Sequence, residues 1–516
     1  MKKFISCCLF FLPYAFVSAQ NTFDITTYGA VGDGKAVATK AFQAAIDACN
    51  KNGGGDIVIP TGIFIIGTVH LKSNVHLYLQ AGAILRGSAN LQDYETYTPE
   101  KPYIPIHKGM LFTEDAENIV ISGEGQIDGN GDVFFNQDEA KKLDAETTKF
   151  TRQKANYRHV HEGIGDGPIV PKDRPYQMFV FSNCRRVTVK DIRITSAPFW
   201  CMHFADCDAV NVKNIRLWNN LLAPNADGID VTSCTNVIIE GCDIRAGDDT
   251  IAIVGYDHHF EIPGFKHLRH LSENIIISNC NLQSYSSGIR IGFLDQNTVR
   301  NIQVSNVNIT NSTRGIGIFL RDEGSLENIT FSNIYIETHL RTGDWWGNGE
   351  PIHISAVRGK ENVKLGQIKH VLFSNIICKG ENGMLIYGSD ESIIEDVSFD
   401  HIRFELTDSK LNDVAGGNVD LRGSSLQKSL FERDIPGLLA QYIKGLRIND
   451  FQLEWTNTRM PYFTNGIELT NFDNVTISDF TGDASPINPK AHRVYAKDGK
   501  GLRIENEKNA FKENVQ

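Results

Sequence analysis

The stretch Val187-Thr-Val-Lys-Asp-Ile-Arg-Ile194 is matched by Val210-Asn-Val-Lys-Asn-Ile-Arg-Leu217, by Val237-Ile-Ile-Glu-Gly-Cys-Asp-Ile244 and by Ile275-Ile-Ile-Ser-Asn-Cys-Asn-Leu282. Further copies begin at Ile302, Ile329, Val371 and Val397, with weaker ones at Leu446 and Val475 and, upstream, at Val75 and Ile119. Inside each copy apolar positions alternate, break at a polar Asn, Asp or Gly, and alternate again. That pattern is strand, one-residue corner, strand. A period of roughly 23 to 29 residues suits one coil of a solenoid, and the longer interval from Ile329 to Val371 implies a loop inserted on one face. Leucine-rich repeats share the period but need a leucine consensus that is absent. The fold expected is all-β, a right-handed parallel β-helix, in which residues one coil apart stack at about 4.8 Å.

A solenoid must cover its open ends. Thr39 to Asn50 places Phe42, Ala45, Ile46 and Cys49 on one helical face with Gly53 just beyond, so a short capping helix is expected at the N-terminal end. Residues from about 133 to 175 leave the repeat and read as a large inserted loop. Those after about 485 read as an irregular, charged tail. The 516 residues would suggest about three domains by length alone, but the repeat predicts one β-helix domain over 20–516.

The first 19 residues carry two lysines, an apolar run and the small-residue end Val17-Ser18-Ala19, the pattern of a removed secretory signal. The run is too short for a membrane span, and export to the periplasm or the medium is expected. Of the 10 cysteines, eight lie beyond this segment, mostly in or beside apolar strand-like runs and without zinc spacing; they read as small buried hydrophobes. A net charge of −11 lacks the basic balance that drives nucleic-acid binding. Neither a cofactor nor a metal is expected, and the chain is expected to act as a monomer.

Polar residues interrupt the repeat at two related places. Asn225-Ala-Asp227-Gly-Ile-Asp230 leads into Val231, and one coil later Gly247-Asp248-Asp249-Thr250 leads into Ile251. Setting Ile229 beside Ile251 puts Asp227 next to Asp249, with Asp248 one position earlier. Clustered acids raise one another's pKa, so one can keep a proton beside ionised partners at neutral pH. Glycoside hydrolysis needs that combination. A Ca²⁺ site and ordinary Asp-rich corners are the competing readings.

These residues resemble glycoside hydrolase family 28, the polygalacturonases and their relatives. Tyr28-Gly-Ala-Val-Gly-Asp-Gly34, Ala41-Phe-Gln-Ala-Ala-Ile46 and Gly53-Gly-Gly55 resemble the family's N-terminal signature, as do Arg174-Pro175 and Ser196-Ala-Pro-Phe-Trp200. Asn225-Ala-Asp227 resembles its Asn-Thr-Asp motif and Gly247-Asp-Asp249 its Gly-Asp-Asp. The resemblance implies an inverting hydrolase with Asp248 as general acid and Asp227 and Asp249 activating water, the carboxyl groups about 6.5 to 9.5 Å apart. It also implies a plant cell-wall polysaccharide as partner, with Asn225 at the substrate.

Two motifs depart from the family. Ser287, in Ser286-Ser-Gly288, stands where the family has the His of Gly-His-Gly. In Gly317-Ile-Phe-Leu-Arg321, Phe319 stands for the Arg and Arg321 for the Lys of Arg-x-Lys. Arg321 and Arg290 are the candidate cations for an acidic sugar. Trp345 and Trp346, in an inter-coil insertion, are candidates for stacking on a sugar face. The departures favour a decorated pectic region such as rhamnogalacturonan. The alternatives are a polysaccharide lyase on the same architecture and a non-catalytic glycan-binding β-helix. The loop histidines His258, His259, His267 and His270 show no metal spacing and read as solvated.

Overall fold

A computed structural model describes residues 21–98, 106–160, 167–255, 271–294, 297–426, 428–505 and 510–516. The secretory-signal reading and the four loop histidines lie outside these ranges. Among the described residues, 35 strands join in one ladder that winds as a right-handed parallel β-helix. The repeat is its register. Val187 pairs with Val210, Val210 with Val237, Val237 with Ile275, Ile275 with Ile302, Ile302 with Ile329, Ile329 with Val371 and Val371 with Val397. Each of these side chains is buried, so one apolar column runs through the interior at roughly 1.5–3 kcal/mol per buried aliphatic side chain. Phe331, Phe373 and Phe399 form a second column, their rings 5.0 Å apart and nearly parallel.

The polar breaks are corners in the left-handed region. Asn279, Asn306, Asn333 and Asn375 have φ of 54° to 57°, and each later side-chain amide donates to the Asn one coil before at 3.2–3.3 Å. Asparagine tolerates this backbone and finds its hydrogen-bond partner in its own repeat. All eight described cysteines are buried free thiols. No helix among the described residues is long and apolar enough to cross a membrane.

The capping helix spans Thr39–Lys51 and buries Phe42, Ala45, Ile46 and Cys49. The C-terminal end differs from expectation. Val494–Ile504 and Ala510–Val515 are strands, each paired in parallel with the coil before it, and not an irregular tail. Their charged composition reflects the last coils, which have little core left to face.

Three segments leave the coils on the side of the acidic motifs. One covers about 133–175 and contains the antiparallel pair Phe135–Ala140 and Ile169–Pro171. Another joins Leu326–Thr338 to Ile352–Ala356, and a third joins Ile394–Thr407 to Leu438–Lys444.

Candidate active site

Strands Ile229–Thr232 and Ile251–Val254 pair with Ile229 opposite Ile251, and both acidic motifs sit just before them. Gly228 is required between them: a Cβ there would lie 2.4 Å from the Thr250 carbonyl oxygen. One carboxylate oxygen each from Asp227, Asp248 and Asp249 lies within 4.8 Å of the others.

The three carboxyls are not equivalent. Asp249 is buried, accepts from the Ser287 backbone N–H at 3.0 Å and is ion-paired with Arg290 through Nε. Asp248 reaches the cavity and accepts from the backbone N–H groups of Asn225 at 3.3 Å and Asp249 at 3.1 Å. Burial, followed by the charge of Asp249, pushes the Asp248 carboxyl up to about 7, although Arg290 and a Ser286 hydrogen bond pull the other way. Burial, followed by Asp248, Asp230 and Asp249, pushes Asp227 well above the usual carboxylate range, and its Oδ1 has no hydrogen-bond partner among the described residues. Asp230, one turn deeper, is raised by burial as well. Asp227 and Asp230, both pushed towards the protonated form by burial, therefore stand beside a site whose Arg290-bound carboxylate is Asp249.

These three oxygens are also the cluster among the described residues with spacing that a metal ion would accept. Arg290 on Asp249 already supplies positive charge there, which weighs against a divalent cation.

A cavity of about 240 Å³ opens over the carboxylates. Of the expected residues, Asn225, Asp227, Asp248, Asp249, Ser287, Arg290, Arg321 and Trp346 line it. Asn225 is held by Arg174, whose Nη2 donates to its Oδ1 at 3.0 Å while Nη1 donates to the carbonyls of Pro198 and Pro224. Trp345 does not line the cavity. It is 3% exposed and packs edge-on against Tyr285 at 5.2 Å. Neighbouring residues on a loop point opposite ways, and here the second one faces the cleft.

The sequence reading missed Arg314, Asp420 and Arg422, which also line the cavity. Arg314 sits in the column Asp249, Ser287, Arg314: Ile251 pairs with Ile289, and Ser287 with Arg314. Its Nε is 2.7 Å from Glu350 Oε1, and both side chains are buried. Burial pushes Glu350 up, but Arg314 and a His353 hydrogen bond more than offset it and hold Glu350 down at about 2.

Arg321 is 1% exposed and donates to the Leu320 carbonyl and to the Ser355 carbonyl and hydroxyl at 3.0–3.2 Å. Among the described residues it has no ion-pair partner, and its Nε is unsatisfied. Burial, followed by the like charge of Arg314, lowers its pKa to about 9. A buried guanidinium without a carboxylate is costly unless a bound anion completes it.

The sequence matches the family described as Glycosyl hydrolases family 28 over residues 49–343. A probable polygalacturonase of Vitis vinifera is 25% identical over 261 residues, 48% of this chain and 48% of that protein. One of Arabidopsis thaliana is 28% identical over 315 residues, 56% of this chain and 59% of that protein. The chain thus spans about half the length of these curated relatives. Among solved structures, the family 28 exopolygalacturonase of Yersinia enterocolitica superposes with a TM-score of 0.59 at 16% identity, covering 94% of this chain and 78% of that one. The profile match takes in both acidic motifs and the coils that carry them, and the chain belongs to glycoside hydrolase family 28.

Proposed function

We propose that this chain is a glycoside hydrolase acting on a uronate-containing pectic polysaccharide. The observation that carries the reading is a cluster of three carboxyls, one titrating near 7 and one ion-paired with arginine, in a cavity also lined by the unpaired cation Arg321. Asp248 gives its proton to the departing glycosidic oxygen as the C–O bond breaks. Asp249, ion-paired with Arg290, takes a proton from the water that adds to the anomeric carbon. Asp227, pushed towards its protonated form, orients the water.

Family membership supports inversion over double displacement with retention. Proton NMR of the first product separates the two: the inverted anomer is expected, and the retained anomer would transfer the nucleophile's role to Asp227 or Asp249. Ser287 and Phe319, in place of a family His and Arg, support a decorated region such as rhamnogalacturonan over plain polygalacturonan. The same reading takes the chain as one exported, monomeric β-helix domain without a cofactor.

Arg321 is assigned to the sugar carboxylate and Trp346 to a sugar face. Arg321→Ala is expected to raise KM at least about tenfold, the loss of a hydrogen bond to a charged group, with a smaller change in kcat. Unchanged binding of the acidic sugar in that variant rules the role out.

A further inference from the structure

The three segments that leave the coils interlock beside the cavity. From the first, Arg158 donates to the carbonyls of Trp345 and Gly347, and the Tyr157 hydroxyl to Asn348 Oδ1. The Arg152 backbone N–H donates to Asn418 Oδ1 at 2.8 Å, its guanidinium pairs with Asp434 at 2.9 Å, and Gln153 donates to the Gly416 carbonyl at 2.8 Å. Lys141 pairs with Asp344 at 2.8 Å.

Arg422 ties the second segment to the third. It pairs with Asp344 and Asp420, each at 2.8 Å, donates to the Trp345 carbonyl, and lies 4.8 Å over the Trp346 ring. Tyr157 and Arg158 are buried, so these contacts make a packed wall and not a loose flap. The wall rises on the coils that follow Asp248 and Asp249, and it puts Trp346, Asp420 and Arg422 directly into the cavity. At about 240 Å³, the cavity is smaller than the range of about 300–1,000 Å³ usual for drug-sized ligands, which leaves room for about one sugar unit on that side.

A polysaccharide cut internally must continue past the scissile bond in both directions. Here the interlocked side chains Trp346, Asp420 and Arg422 line the same small cavity as the three carboxyls, where an open groove would be needed. We propose that the chain acts at the end of its substrate, that the wall holds the terminal unit, and that Arg422 is the specificity-determining residue that locks the wall in place. The proposal rests on the hydrolase reading above.

Two measurements test it. In digests of rhamnogalacturonan and its end-labelled oligosaccharides, the wild type should release single units from one end, with little early loss of polymer viscosity. Arg422→Ala should raise the early share of longer products at least about tenfold, a shift of the size that pocket contacts confer. Early internal fragments from the wild type would overturn the proposal. Because Arg422→Ala could fail to fold, binding to the Asp248→Asn protein provides a second measure. Its affinity should level off at short rhamnogalacturonan oligosaccharides and be lost when one chain end is capped, whereas affinity that climbs with every added unit overturns the wall's role. End-dependent binding by a wild type that hydrolyses nothing would support the wall and overturn the hydrolase reading alone.

Discussion

Asp248→Asn is expected to lower turnover at least about 10²-fold, the lower end of what a general acid contributes, while leaving the fold intact. Asp248 is the carboxyl of the cluster that both reaches the cavity and titrates near neutrality, at about 7. Its burial and the neighbouring Asp249 favour the protonated form, so a proton is in place when the glycosidic oxygen leaves. A group that must be protonated works below its pKa. Wild-type kcat/KM should therefore fall about tenfold per unit as pH rises above about 7, and this limb should vanish from the residual rate of the variant. Wild-type turnover in Asp248→Asn removes Asp248 from the chemistry.

The same substitution is expected to stabilise the protein at pH 8 and to lose that advantage towards pH 4. The folded pKa of Asp248 is raised from 3.8 to about 7, so its favourable contribution is present below the unfolded value and is lost as pH climbs through about 7. Above that point the wild type holds a buried charge that asparagine does not carry. The expected difference is on the order of a few kcal/mol at pH 8, read from urea midpoints. His203 and His353, buried and held down at about 3 and 4, act with the opposite sign: their contribution is present above about 6.5 and is lost on acidification. They are common to both proteins and cancel in the comparison. A stability difference that does not change with pH would contradict the electrostatic account of the cluster.

The sequence made the coil register legible because one buried position per coil must be apolar in every repeat, so that Val187 predicts Val210, Val237 and their successors. The carboxylate cluster followed from that register. Arg314 was legible by the same rule, one coil beyond Ser287, but was passed over for Arg321 when the Arg-x-Lys spacing was followed. Asp420 and Arg422 were not legible. They arrive on an insertion of no repeat, and their place depends on contacts with Asp344 and Trp345 from another insertion. The terminal strands were missed because the last coils have little interior to fill, which removes the apolar signal on which the reading depended.

The most direct test of the central claim is product analysis with purified wild type and Asp248→Asn on homogalacturonan and on both rhamnogalacturonan types. The account predicts that the wild type releases new reducing ends from at least one of these without any ultraviolet-absorbing unsaturated product, and that the variant releases at least about 10²-fold fewer. An unsaturated product, or equal release by the two proteins, would contradict it.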